Sequence, residues 1–119
     1  MAADPTGTFF EALAKRAHEP LLQGASGTLR WDLRNGRRTD HWYVTIAKGG
    51  VEVSRANAPA DAVVRADKAF FDGLATGRVN AMAALLRGAM EGDGDLGLVM
   101  SFQRLFPAPP RSVYARRIR

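Results

Sequence analysis

The sequence predicts an α+β domain, with one mostly antiparallel sheet covered on one face by helices. Three observations carry this expectation. Between residues 29 and 66 apolar side chains recur at every second position in short runs, the period of half-buried strands. Outside that region they recur at helical spacing, in segments that open on Thr, Asp or Asn and stop at Gly or Pro. The resulting order is helix, four strands, two helices, strand, helix, with no internal repeat or low-complexity block.

Thr6 is the expected N-cap of the first helix, in which residues 7–17 place Phe9, Phe10, Leu13 and Ala17 near one face before Pro20. Residues 24–27 are a small-residue turn. Leu29, Trp31 and Leu33 then alternate with Arg30, Asp32 and Arg34, so the first strand has an inward and a wet side. Asn35-Gly36 opens a polar connection to Asp40. Trp42, Val44 and Ile46 alternate with Tyr43, Thr45 and Ala47 in the second strand of a hairpin, and Trp31 and Trp42 belong to its core side. Gly49-Gly50 turns into a third strand with Val51 and Val53, which residues 57–59 break, giving an antiparallel meander.

Residues 62–66 form a short fourth strand. Asp67 caps a helix carrying Phe70, Phe71 and Leu74 and stopped by Gly77, where a left-handed residue is needed. Asn80 caps a second short helix with Met82, Leu85 and Leu86 at i, i+3 and i+4, closed by Gly88. Residues 89–93 make a fifth strand. Asp95 then starts a helix with Leu96, Val99, Met100, Gln103 and Phe106 at helical spacing, terminated by Pro107, Pro109 and Pro110.

The totals narrow the function classes. A length of 119 residues with 46% apolar and 24% charged content suits one folded domain, taken as residues 6–106, with a Pro/Arg-rich tail at 107–119. The absence of cysteine excludes disulfides, thiolate metal sites and cysteine nucleophiles. Asp4 stands where a secretory leader would be basic, and no apolar stretch follows that could serve as a leader core or a membrane span. A soluble, cytoplasmic protein is expected. The net charge of +5 comes largely from Arg111, Arg116, Arg117 and Arg119, which have no acid among them and leave 13 basic against 12 acidic residues in the body. No basic stripe marks a nucleic-acid partner. The tail suits either solvent or transient contact with an anionic membrane surface, where each Arg contributes roughly 1 kcal/mol.

Beyond these generalities, one succession of residues is specific. From residue 61 to residue 106 a strand is followed by Asp67, Phe71, Leu74, Thr76-Gly77, Asn80, Met82, Leu85-Leu86, Gly88, Met90 and Gly94-Asp95-Leu96, then an amphipathic helix to Leu105-Phe106. It resembles the C-terminal half of the sterol carrier protein type 2 (non-specific lipid-transfer) family. The meander of residues 27–54, with Trp31 and Trp42 inward, is similar to that family's first strands, so the likeness covers residues 9–106. The resemblance implies a twisted five-stranded sheet with helices on one side and an apolar cavity between the layers. There, family members hold a fatty acyl chain, acyl-CoA or sterol without catalytic residues or a cofactor. The lining it implies is Phe71, Leu74, Met82, Leu85 and Leu86, Met90 on the fifth strand, and Val99, Phe102, Leu105 and Phe106. The chain departs from the family in having Gly92 where a second bulky residue is usual on the fifth strand. It also ends in Arg117-Ile118-Arg119, unlike the Ser-Lys-Leu peroxisomal signal of some members.

A lipid site needs a deformable apolar lining, and ten buried methylenes supply about 8 kcal/mol before ordering costs. Met82, Met90 and Met100 fall within nineteen residues, and unbranched thioethers adapt to ligands of varied shape, although the same residues also fill ordinary cores. Other chemistries fit poorly. Residues 92–97 match Gly-x-Gly-x-x-Gly, but prolines and an arginine tail stand where a nucleotide fold needs a parallel strand and an acid. Glu91, Asp93 and Asp95 lack the calcium-loop pattern, and capping by Asp95 accounts for them better. His18 and His41 are far apart, with no nucleophile elbow at any serine. A different class remains: an interaction or regulatory module for a lipid-metabolising enzyme. An open tunnel favours the carrier, whereas a filled core with an exposed apolar patch favours the module.

Overall fold

The computed structural model describes residues 4–107. The polypeptide runs α1 (Pro5–Arg16), β1 (Ser26–Asn35), β2 (Arg38–Ala47), β3 (Gly50–Ser54), β4 (Ala62–Asp67), α2 (Lys68–Ala75), α3 (Ala81–Leu86), β5 (Glu91–Gly94) and α4 (Leu96–Phe102), with short 3-10 turns at Pro20–Leu22 and Gln103–Leu105. This is the order expected, and the α+β class holds. The tail beyond Pro107, including all its arginines, lies outside the described residues.

Strand order is β3-β2-β1-β4-β5. β1–β2, β2–β3 and β4–β5 are antiparallel, but β1 and β4 are parallel, with Trp31 opposite Val64. The antiparallel meander of the first three strands and the mostly antiparallel sheet are as expected; period-two alternation says which side chains face inward and is silent about the partner strand, so the parallel pairing of β4 with β1 was not specified in advance. It requires residues 55–61 to cross the outer face of the sheet. Arg30 donates to the Ala58 carbonyl at 2.8 Å and Tyr43 to the Pro59 carbonyl at 2.8 Å, pinning the crossover to β1 and β2.

Several boundaries shift for local reasons. Pro5, preorganised for a first helical turn, starts α1 early, so its N-cap is Asp4, whose side chain accepts from the Gly7 amide at 3.2 Å. Thr6 is therefore no cap: it is buried, and its amide and hydroxyl both donate to Asp72 Oδ1, at 3.1 and 2.6 Å, tying α1 to α2. Asn80 and Asp95 cap α3 and α4 as expected, accepting from Ala83 N at 2.9 Å and Leu98 N at 3.2 Å. Asp67 stands at the start of α2 but turns its carboxylate to Arg34 instead of to the helix amides. The hairpin closes more tightly than expected, with Asn35 paired to Arg38.

Candidate functional site

The inner face of the sheet carries Leu29, Trp31 and Leu33 from β1, Val44 and Ile46 from β2, Val51 from β3, and Ala62 and Val64 from β4, all buried. Register sets Trp31 between Trp42 and Val64. Five phenylalanines descend from the helical layer onto this surface: Phe9 and Phe10 from α1, Phe71 from α2, Phe102 from α4, and Phe106 just beyond it. Phe71 meets Trp31 edge-on at 4.9 Å and Phe106 edge-on at 5.3 Å. Phe10 stacks on Phe71 at 5.1 Å and on Trp42 at 4.5 Å, while Phe9 stacks on Phe106 at 5.0 Å. These are the offset and edge-to-face arrangements that aromatic quadrupoles favour. Among the described residues, these rings pack against one another between the layers, where the apolar cavity was expected.

The residues implied as a lining divide into three groups. Phe71, Leu74, Met90, Val99, Phe102 and Phe106 are buried and face the interior together. Met82, Leu85 and Leu105 are half-buried, and of these Leu85 and Leu105 pack against that interior. Leu86 is not on an inward face: it is 79% exposed. With only six residues, α3 makes its inward contact through Ala81 and Ala84, an i, i+3 pair, which turns Leu86 to solvent. The face expected for α4 is likewise rotated. Leu98, Val99 and Phe102 are buried, and Leu96 and Met100, at i and i+4, point outward. Ala81, Ala84 and Leu98 were missed because a short helix offers two plausible apolar faces and size favours the wrong one.

Beside this interior, the start of α3 (Asn80, Ala81, Met82) and the residues after α4 (Gln103, Arg104, Phe106, Pro107) enclose a surface cleft of about 310 Å3. Phe106 belongs to both places: it lines this cleft and touches Trp31, Phe71 and Phe102 within. It separates the cleft from the indole of Trp31. Gly92, opposite Val64 on β5, leaves room that the Leu96 side chain approaches.

Apart from Arg55 and Arg104, the charged groups described next pair with one another away from the rings. On the outer face, Asp32 accepts from Arg30 Nε at 2.9 Å and Nη2 at 3.0 Å and pairs with His41 Nδ1 at 2.8 Å. Burial alone would raise the Asp32 carboxyl, but the hydrogen bonds from Arg30 and His41 together outweigh it and hold it below its ordinary value. Where the first turns of α1 and α2 meet, Lys68 bridges Asp4 at 2.9 Å and Asp72 at 3.4 Å; the hydrogen bond to Asp4 lowers that carboxyl and raises the lysine. Arg55 lies over the Trp42 ring at 4.0 Å. Asp93 pairs with Arg65 and Asp95 caps α4, so neither acid is gathered into a cation site. Among the described residues no three His, Cys, Asp or Glu groups converge as metal ligands, and no helix is long and apolar enough to cross a membrane.

Known proteins share this fold. The solution structure of sterol carrier protein domain 2 of Helicoverpa armigera superposes with a TM-score of 0.66 at 20% identity, over 85% of this chain and 84% of that one. The solution structure of palmitated SCP2L2 from Aedes aegypti superposes with a TM-score of 0.65 at 16% identity, over 92% of this chain and 99% of that one. In sequence, the chain is 24% identical over 105 residues to hydroxysteroid dehydrogenase-like protein 2 of Xenopus tropicalis; the match covers 87% of this chain and spans a quarter (25%) of that relative. The likeness to the structures establishes the fold. Residues 9–107, which hold every strand, every ring of the interior and both walls of the cleft, match the model of a family associated with lipid binding and transfer, and the chain thus belongs to the SCP-2 sterol transfer family.

Proposed function

We propose that this domain binds a fatty acyl chain, an acyl-CoA or a sterol-like molecule between its helices and its sheet, and carries or presents it without chemical change. The observation supporting this reading is the one-sided aromatic interior. Phe71, Phe102 and Phe106 meet the Trp31 indole on the sheet, Phe9 and Phe10 pack on them, and hydrocarbon and ring atoms are what an acyl chain or sterol nucleus displaces at little polar cost. The ligand takes the place of rings that now touch one another. Phe71, Leu74, Met90, Val99, Phe102 and Phe106 become its inner lining, Met82, Leu85 and Leu105 its edge, and Leu86 an apolar step at the rim. The palmitated relative shares the fold. We place the protein in the cytoplasm, and assign its arginine tail a transient contact with anionic membrane during loading.

The test is direct. Mass spectrometry of organic extracts from the purified protein, paired with titration of a fluorescent fatty acid, is expected to yield bound lipid and a saturable signal. A second reading is supported by the packed interior together with outward Leu86, Leu96 and Met100: a module that docks on a lipid-metabolising enzyme. Empty extracts and no saturation would favour it.

A further inference from the structure

Trp31 stands apart from everything else in the interior. It is 1% exposed, and its indole Nε1 is a buried side-chain polar atom with no hydrogen-bond partner among the described residues. Its ring neighbours are Phe71 at 4.9 Å, Phe102 at 5.6 Å and Phe106 at 6.0 Å, none of which carries an acceptor atom. An N–H directed at a ring face is the most they offer, and that is a second-order contact. Buried tryptophan N–H groups ordinarily find an acceptor, because a stranded donor loses its water and gains nothing in return. Phenylalanine at this position would put a ring on the same surface without stranding a donor. The N–H is what distinguishes the indole here.

Resting on the lipid-binding reading, we propose that Trp31 Nε1 is the anchoring donor for a ligand oxygen. The ligand enters with an acceptor oxygen foremost, and that oxygen accepts from the indole. The route runs through the cleft between Met82 and Gln103, past Phe106, which among the described residues is the one ring that lines the cleft and also touches Trp31. The three rings around the indole bear no charge, so an ionised carboxylate brought there would lose its hydration without a counter-ion. The oxygen is therefore a neutral one, the hydroxyl of a sterol or fatty alcohol or the carbonyl of an ester. The ligand class is a neutral, oxygen-bearing lipid bound oxygen-inward.

The experiment compares decanol with decane, equal in chain length and differing in one oxygen. Full-length protein with 15N-labelled indoles shows one side-chain signal from each tryptophan, and Trp42→Phe assigns them. Decanol is expected to move the Trp31 indole proton downfield, the direction of a gained hydrogen bond, and decane is not. Trp31→Phe is expected to weaken decanol binding about tenfold, the worth of one such bond, while decane binding is retained. If both probes bind and the decanol affinity survives Trp31→Phe, or the indole signal responds to both alike, the anchoring role is overturned and the lipid-binding reading stands. If neither probe binds the unaltered protein, that reading falls and the anchor with it. Should Trp31→Phe fail to fold, the indole signals of the unaltered chain decide alone.

Discussion

Asp32 shows how single residues on the outer face serve the fold. It sits between Arg30 and His41 on adjacent positions of β1 and β2, and Arg30 also holds the crossover through Ala58. The folded chain keeps the Asp32 carboxyl below its ordinary value of 3.8, so it binds this proton less tightly than the unfolded chain does. The ionised carboxylate thus stabilises the fold fully above that ordinary value, and the contribution is lost as pH falls through the lowered one. Thermal unfolding followed from neutral pH into acid should show a falling midpoint below about pH 4. Asp32→Asn should melt lower at neutral pH and have a shallower acid limb; an unchanged acid limb would remove Asp32 from the account. Glycines give a second test at this scale. Gly94 has φ of +90°, and a β-carbon there would overlap the Asp61 carbonyl, so Gly94→Ala should cost about 1–3 kcal/mol in chemical denaturation. Gly92 has no such backbone and only the end of Leu96 nearby at 3.5 Å, so Gly92→Ala should fall within about 0.5 kcal/mol of the unaltered chain.

At the scale of elements, α3 is where sequence and structure diverge most usefully. Leu85 and Leu86 are its largest aliphatic side chains, yet Ala81 and Ala84 make the buried contact. Leu86→Lys should therefore change stability by no more than about 0.5 kcal/mol, whereas Ala84→Leu should cost about 1–3 kcal/mol by overpacking. A sequence-only reading gives the opposite order, and urea unfolding of the two variants decides. Elements with strong signals were legible. The alternation in β1 and β2 named the inward tryptophans, and Asn80 and Asp95 marked helix starts through the hydrogen bonds their side chains do make. The parallel β1–β4 pair was not legible, because nothing in residues 62–66 differs between a parallel and an antiparallel neighbour. Of the ten residues that the family pattern implies as a lining, Phe71, Leu74, Met90, Val99, Phe102 and Phe106 do lie buried in the interior. The facing of α3 and the true face of α4 were not legible, since a six- or seven-residue helix has too few turns for its period to choose between adjacent faces.

Across the whole molecule, the two layers differ in how firmly they are built. β1 and β2 pair over ten residues, and β1 also pairs with β4 over six, so the sheet is cross-linked by continuous backbone hydrogen bonds. Apart from the twelve-residue α1, whose end is tied to β3 by backbone hydrogen bonds, the helical layer is made of short pieces, α2, α3 and α4, packed on the sheet through side chains. Opening for a ligand should then occur on the helical side, with the sheet acting as a fixed wall. Hydrogen exchange is expected to rank the amides accordingly, with α3 and the segment after α4 exchanging fastest among the described elements and the centre of β1 slowest. A bound lipid adds contacts to both layers in the folded state alone. At a hundred times its dissociation constant it should stabilise the protein by about 2.7 kcal/mol, a rise of roughly 10 °C in the melting midpoint for a domain of this size. The same lipid should slow exchange in α3 and around Phe102 and Phe106 more than in β2 or β3. Equal slowing everywhere would mean that the ligand merely reports global stability; slowing confined to the outer face of the sheet would place the site on the wrong side of the molecule.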